Sequence, residues 1–153
     1  MIQRIQSIYL FLVAVLNGLL FILPLNEMVS GNHILRLSIY GLSDITKQGD
    51  LLIVTLFPLI IIVSVSILLS LIGIFLYKNR KIQMRLSMYT SILGLGTTFL
   101  TFFYAYQIAS TNSTELGFSV GLLLPIIGSI FAFLAFRAIK RDDKLIKSVD
   151  RIR

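Results

Sequence analysis

The sequence predicts an all-α membrane protein: a four-transmembrane-helix bundle with a small outer loop and a C-terminal cytoplasmic helical extension. Three observations predict it. The chain of 153 residues is 56% hydrophobic and 14% charged, with a mean hydropathy of +0.90, whereas soluble domains carry about 25% charged residues. The charges gather in short stretches between four long uncharged runs. The basic residues crowd onto one side of the layout that those runs impose.

The runs are 5–25, 51–77, 86–109 and 118–136, within a single membrane domain covering 1–153. Each has the length of a span, since a helix needs about 20 residues to cross a hydrocarbon layer of about 30 Å. A bilayer offers backbone groups no water, so such runs are expected to be helices. The first run has a thin charged leader, a long apolar stretch and no A-x-A-like site after it, so it is expected to stay as a span and not to be cleaved as a signal peptide.

The connectors set the direction. The 78–85 loop carries Lys78, Arg80, Lys81 and Arg85, the tail 137–153 carries seven more cations, and Arg4 precedes the first run. Twelve of the 14 Lys and Arg residues therefore fall on one side, leaving Arg36 and Lys47 on the other. The positive-inside rule puts both termini and the 78–85 loop in the cytoplasm. The net charge of +7 lies beside hydrophobic spans, so the expected partners are anionic lipid headgroups and not nucleic acid.

The outer loop, 26–50, contains "HILRLSIYG", where Leu35, Leu37 and Ile39 alternate with Arg36, Ser38 and Tyr40. That period suits a short strand or hairpin, with "SGN" and "GLSD" as its turns. His33, Glu27, Asp44, Asp50 and Glu115 all fall on this side, but their spacing matches no metal-ligand pattern. No metal and no cofactor are expected.

The tail has no Gly or Pro from Ala132 onward, so the fourth span is expected to continue past the membrane as one helix. Ile139, Leu145, Ile146, Val149 and Ile152 would share one face, interrupted by Asp142. Lys140, Lys144, Lys147 and Arg151 would share the opposite face. Two readings follow: the basic groups rest on anionic headgroups, or the apolar stripe docks onto a partner or a second copy of the chain.

Within the runs there is no Asp, Glu, Lys, Arg or His. Such residues are the default mark of ion coupling and proton relays, and a serine nucleophile would need a base beside it. The chain also lacks cysteine, which excludes thiolate chemistry. What remains is neutral: Asn17, Thr97, Thr98, Thr101, Tyr104 and Gln107 are candidates for bonds between helices. Ser66, Ser70 and Gly73 fall on one side of the second run. Gly94/Thr98 and Gly128/Ala132 are small-residue pairs that let helices approach closely. Pro58 and Pro125 each stand about seven residues into a run and would free the carbonyls of Val54 and Gly121. Two readings stay open: ordinary kinks that shape the bundle, or an outward cavity lined by Asn17, Pro58, Thr101, Gln107 and Pro125.

The opening "MIQRIQSIYL", the "YKNRKIQMRL" of the middle loop and the closing "LAFRAIKRDDKLIKSVDRIR" together resemble a family of small bacterial four-span proteins described as a domain of unknown function, family 4293. The likeness covers the whole chain and implies a bacterial inner-membrane protein. It carries no activity and no site residue. The expected function is non-enzymatic: a scaffold, an assembly factor or a subunit of a larger complex. The alternative is a small oligomeric transporter or lipid-handling protein.

Overall fold

The computed structural model describes residues 3–30, 33–44, 51–77, 79–112 and 119–150. Among them are helix α1 (Gln3–Leu19), strands β1 (Asn26–Ser30), β2 (His33–Ser38), β3 (Gly41–Asp44) and β4 (Leu51–Thr55), and helices α2 (Phe57–Phe75), α3 (Arg80–Asn112) and α4 (Leu123–Asp150). A 3₁₀ turn, Val120–Leu122, leads into α4. Helices α2, α3 and α4 are each long and apolar enough to cross a membrane. Helix α1 is apolar but has 17 residues, roughly 26 Å at about 1.5 Å per residue. Turns that end in the Leu23 N–H to Leu19 C=O bond prolong it by a further turn.

The helices pack α1 on α2, α2 on α3, α3 on α4 and α4 back on α1. Much of their interior is small or polar, beside a few larger groups such as Leu10, Val13 and Ile139. Ser66 and Ser70 of α2, Ser87, Thr97 and Thr101 of α3, and Ala132 and Ala135 of α4 are all buried. Large apolar side chains point outward instead, including Phe99, Phe102, Phe103 and Tyr106 of α3 and Ile61 and Leu68 of α2. This is the reverse of a water-soluble helix. Lipid tails are as apolar as leucine, so nothing drives large side chains inward, whereas small ones let backbones meet. Gly94 shows how close that meeting is: a Cβ there would lie 2.9 Å from Ser129 Cβ and 3.3 Å from the Pro125 carbonyl oxygen.

Most buried hydroxyls bond back along their own helix. Ser70 donates to the Ser66 carbonyl, Thr97 to Leu93, Thr98 to Gly94 and Thr101 to Thr97. A hydroxyl without water or a cross-helix partner is satisfied locally in this way. The threonines proposed as links between helices therefore serve their own backbone.

The segment between α1 and α2 is an antiparallel meander in the order β1-β2-β3-β4. The alternation read from the sequence holds: Leu35, Leu37 and Ile39 are buried, while Arg36 and Ser38 are half-buried and Tyr40 is exposed. The buried face joins Leu20, Leu59, Val63, Ala105, Ala109 and Leu124 in one cluster, so the sheet lies across one end of the helices. A lone hairpin is marginal in water, and this support supplies what it lacks.

Three expectations need correction here. The second run does not begin as helix: Leu51–Thr55 is β4, paired with β3, and α2 starts at Phe57. Five consecutive apolar and β-branched residues suit a paired strand as well as a span, and periodicity cannot separate the two. "GLSD" is strand β3 and not a turn; the turn is Ile39–Tyr40, flanked by the Ser38–Gly41 pair. Gly41 has φ 148°, a region other residues avoid. Of "SGN", Ser30 closes β1, while Gly31 and Asn32 lie outside the described residues. Finally, Pro58 is in the first turn of α2 and Pro125 is the third residue of α4. First-turn N–H groups have no intrahelical acceptor, so neither proline frees a carbonyl within its helix.

Gly94→Ala is expected to force α3 from α4 and lower stability by about 1–3 kcal/mol. Gly96→Ala, whose Cβ would meet nothing within 4 Å, should leave it unchanged or raise it by up to about 1 kcal/mol. Thermal unfolding of the detergent-solubilised protein, followed by circular dichroism, checks the contrast.

Candidate functional site: a polar seam and a basic end

Among the described residues, each adjacent helix pair is joined by a side-chain hydrogen bond across its interface. Asn17 Nδ2 of α1 donates to Ser66 Oγ of α2 at 3.1 Å. Gln83 Nε2 of α3 donates to the Gly73 carbonyl of α2 at 2.9 Å. Ser91 Oγ of α3 donates to the Ser129 carbonyl of α4 at 3.0 Å. Gln6 Nε2 of α1 donates to the Asp142 carboxylate of α4. Two of the acceptors are backbone carbonyls, which are reachable because glycine or serine stands there in place of a bulky residue.

The same bonds fix which ends lie together. Gln6 meets Asp142, Gln83 meets Gly73, and Gly73 packs on Leu10. The start of α1, the α2–α3 link and the last turns of α4 therefore share one end, and the sheet occupies the other. Arg80, Lys81 and Arg85 at the start of α3, and Lys140 and Lys144 on α4, all belong to the sheet-free end. Lys81, Arg85, Lys140 and Lys144 are exposed, and Arg80 is half-buried. Lys78 and Arg151 lie outside the described residues, as does the Lys147 side chain.

The tail is helical through Asp150, as its composition predicts. Its faces differ from the predicted ones. The face toward the other helices is Ala132, Ala135, Ile139 and Asp142, all buried. Asp142 is part of that face, with Gln6 as its partner, and does not intrude on a free apolar stripe. Leu145 is 50% exposed, about 120° from the Ile139 direction at 100° per residue. The side chains of Ile146 and Val149, and all of Ile152, lie outside the described residues.

The residues proposed for an outward cavity do not come together. Asn17 and Thr101 are 3% and 0% exposed and engaged in the bonds above. Pro125 is buried against α3 at Gly94. Pro58 and Gln107 are on the surface. Of the outer-side acids, Glu27 faces Arg36 across β1 and β2, with Arg36 Nε 3.0 Å from Glu27 Oε1. An exposed pair of this kind contributes under about 1 kcal/mol. Asp44 is buried in the central strand β3, while Asp50, Glu115 and the His33 side chain lie outside the described residues.

Sequence reasoning did not single out Gln6, Gln83 or Ser91. Gln6 and Gln83 lie within five residues of a basic residue and read as solvated positions. The signal available for Gln83 and Ser91 was that both fall on the small-residue face of α3, with Ser87, Thr90, Gly94 and Thr97. Gln6 shares its face with Leu10 and Val13 and gave no such signal.

Gln6→Leu is expected to cost about 1–3 kcal/mol, because it strands a buried carboxylate. Asp142→Leu placed beside it should recover much of that loss. Thr90 gives the contrast: it is buried with no partner for its Oγ1 among the described residues, so Thr90→Val should be neutral or stabilising. Denaturant unfolding in mixed micelles of the three variants measures both effects.

No curated protein matches the chain. One family model does, that of the Domain of unknown function (DUF4293), over residues 2–152. With a match running from the second residue to the last but one, the chain belongs to that family.

Proposed function

We propose that this is a four-span protein of the bacterial inner membrane. All four helices cross, the sheet lies outside, and both termini and the α2–α3 link are cytoplasmic. The basic residues Arg80, Lys81 and Arg85, read from the sequence as part of a 78–85 loop, form the first turns of α3 at that end. Its role is non-enzymatic, as a scaffold, an assembly factor or a subunit of a larger complex. The observation that carries this reading is the state of the interior. The polar side chains between the helices are spent on structure: some hold helix to helix, as Asn17–Ser66, Gln83–Gly73, Ser91–Ser129 and Gln6–Asp142 illustrate, and others bond to their own helix, as Ser70, Thr97 and Thr101 do. Surface is left for recognition at the sheet and at the basic end. The orientation is supported by the collection of cations at the sheet-free end, following the positive-inside rule. The alternative, a small oligomeric transporter or lipid-handling protein, draws less support, because its five cavity residues are divided between packed interior and outer surface.

The chain has no cysteine, so single substitutions give clean labels. Ser38→Cys should react with impermeant thiol reagents in intact spheroplasts. Asn79→Cys and Ser148→Cys should react only after permeabilisation. Crosslinking from position 148 is then expected to capture a protein neighbour, and recovery of the same neighbour from position 79 should fall severalfold when the chain is cut after Leu145. Reaction of position 148 from outside would reverse the orientation. A protein that stays monomeric and uncrosslinked, and is indifferent to that truncation, would end the scaffold reading.

A further inference from the structure

We infer that the cytoplasmic end of α4 carries a binding site for an anionic phospholipid. The inference rests on the orientation proposed above, and it assigns a ligand to one face of one helix. At 100° per residue, Ile130, Phe133, Arg137, Lys140, Arg141 and Lys144 follow a single stripe. The stripe lies opposite the buried Ala132, Ala135 and Ile139, so it faces away from the other helices. Ile130 and Phe133 are 54% and 49% exposed, and the four cations beyond them are exposed as well. A surface groove of about 700 Å³ runs along the stripe from Phe133 to Lys144.

The occupant follows from the order of chemistry along the stripe. It is apolar up to Phe133 and cationic from Arg137 onward, with the change falling within one turn. Lys140 Nζ lies 5.7 Å from the centre of the Phe136 ring, so a cation and an aromatic face meet at the boundary. A ligand matching this surface has an acyl chain joined directly to an anion, which is the construction of an acidic phospholipid. A soluble anion would use the cations alone and gain nothing from the apolar part of the groove at Phe133 and Phe136. A zwitterionic lipid would bring its own cation among four others.

Such a ligand also relieves repulsion within the stripe. Arg137 with Arg141, and Lys140 with Lys144, are like-charge pairs four residues apart, which destabilise a helix. Of the two acids beside them in sequence, Asp142 is turned away and held by Gln6, and Asp143 lies about 60° outside the stripe at 100° per residue. A phosphodiester seated between the two pairs removes the repulsion. Arginine can grip it through two parallel N–H bonds, while lysine acts as a point charge.

The test is native mass spectrometry of the full chain, released from micelles containing equal amounts of phosphatidylglycerol and phosphatidylcholine. The wild-type protein should retain the glycerol lipid preferentially. Arg141→Gln and Lys144→Gln should each reduce that preference about fivefold, the scale expected for one cation near an anionic surface. The variant with all four cations changed to Gln should abolish it. Lys81→Gln with Arg85→Gln, at the same end but on α3, should leave it intact. Inorganic phosphate at millimolar concentration should not displace the lipid. The inference is overturned if the fourfold variant keeps the preference, if the α3 variant loses it equally, or if free phosphate competes. Should the fourfold variant unfold, the two single variants decide the matter alone. Retention in micelles does not depend on which way the protein faces. A failure here is thus distinct from a failure of the labelling experiment.

Discussion

Close approach of helix backbones is the condition on which the rest of this structure depends. Where Gly94 meets Ser129, no room exists even for a methyl group. That proximity brings the Ser129 carbonyl within reach of Ser91 and the Gly73 carbonyl within reach of Gln83. A larger residue at these points would keep the helices apart and leave the polar groups unpaired. Small side chains and cross-helix hydrogen bonds are thus two aspects of one constraint. An environment that gives no reward for burying leucine selects for contact distance and polar pairing instead.

The sheet obeys the opposite rule. Its buried face is Met28, Leu35, Leu37, Ile39 and Leu42, packed on Leu20, Leu25, Leu56 and Leu59. Large aliphatic side chains fill this layer, as they do in a water-soluble core. One short chain thus contains two kinds of interior, rich in small and polar groups between the helices, large and apolar beneath the sheet. The change falls near Val63 on α2 and Ala105 on α3, which belong to the apolar cluster, with Ser66 and Thr101 one turn further in. Pro24 lies at this level too. Its carbonyl accepts from Ser119 Oγ and stands so close to Gly121 that no Cβ fits there.

Much of this was legible in the sequence, and the gaps have physical causes. The uncharged runs located all four helices, because a helix that meets lipid cannot carry exposed charge. The alternation of Leu35, Leu37 and Ile39 located β2, because one face of that strand is buried. The start of α2 was misread: "LLIVT" is equally apolar as strand and as span, and pairing with β3 is a tertiary fact. Ser66, Ser70 and Gly73 were assigned correctly to one buried face, since small residues at helical spacing have one use here. Asp142 was read as a flaw in an apolar stripe because its partner is on the first helix. Thr97, Thr98 and Thr101 were offered as cross-links because a sequence does not reveal that a hydroxyl will find its own backbone first.

The bond between Gln6 and Asp142 joins residues 136 positions apart. A ribosome delivers Gln6 long before Asp142. Until the fourth helix follows, the first is left with its amide unanswered and one flank bare. The ring of helices therefore closes only once the fourth helix has been made. A nascent chain halted before that helix would display a polar, small-residue surface that the folded protein hides. Such a surface is one by which a cell's quality control could tell an unfinished copy from a completed one.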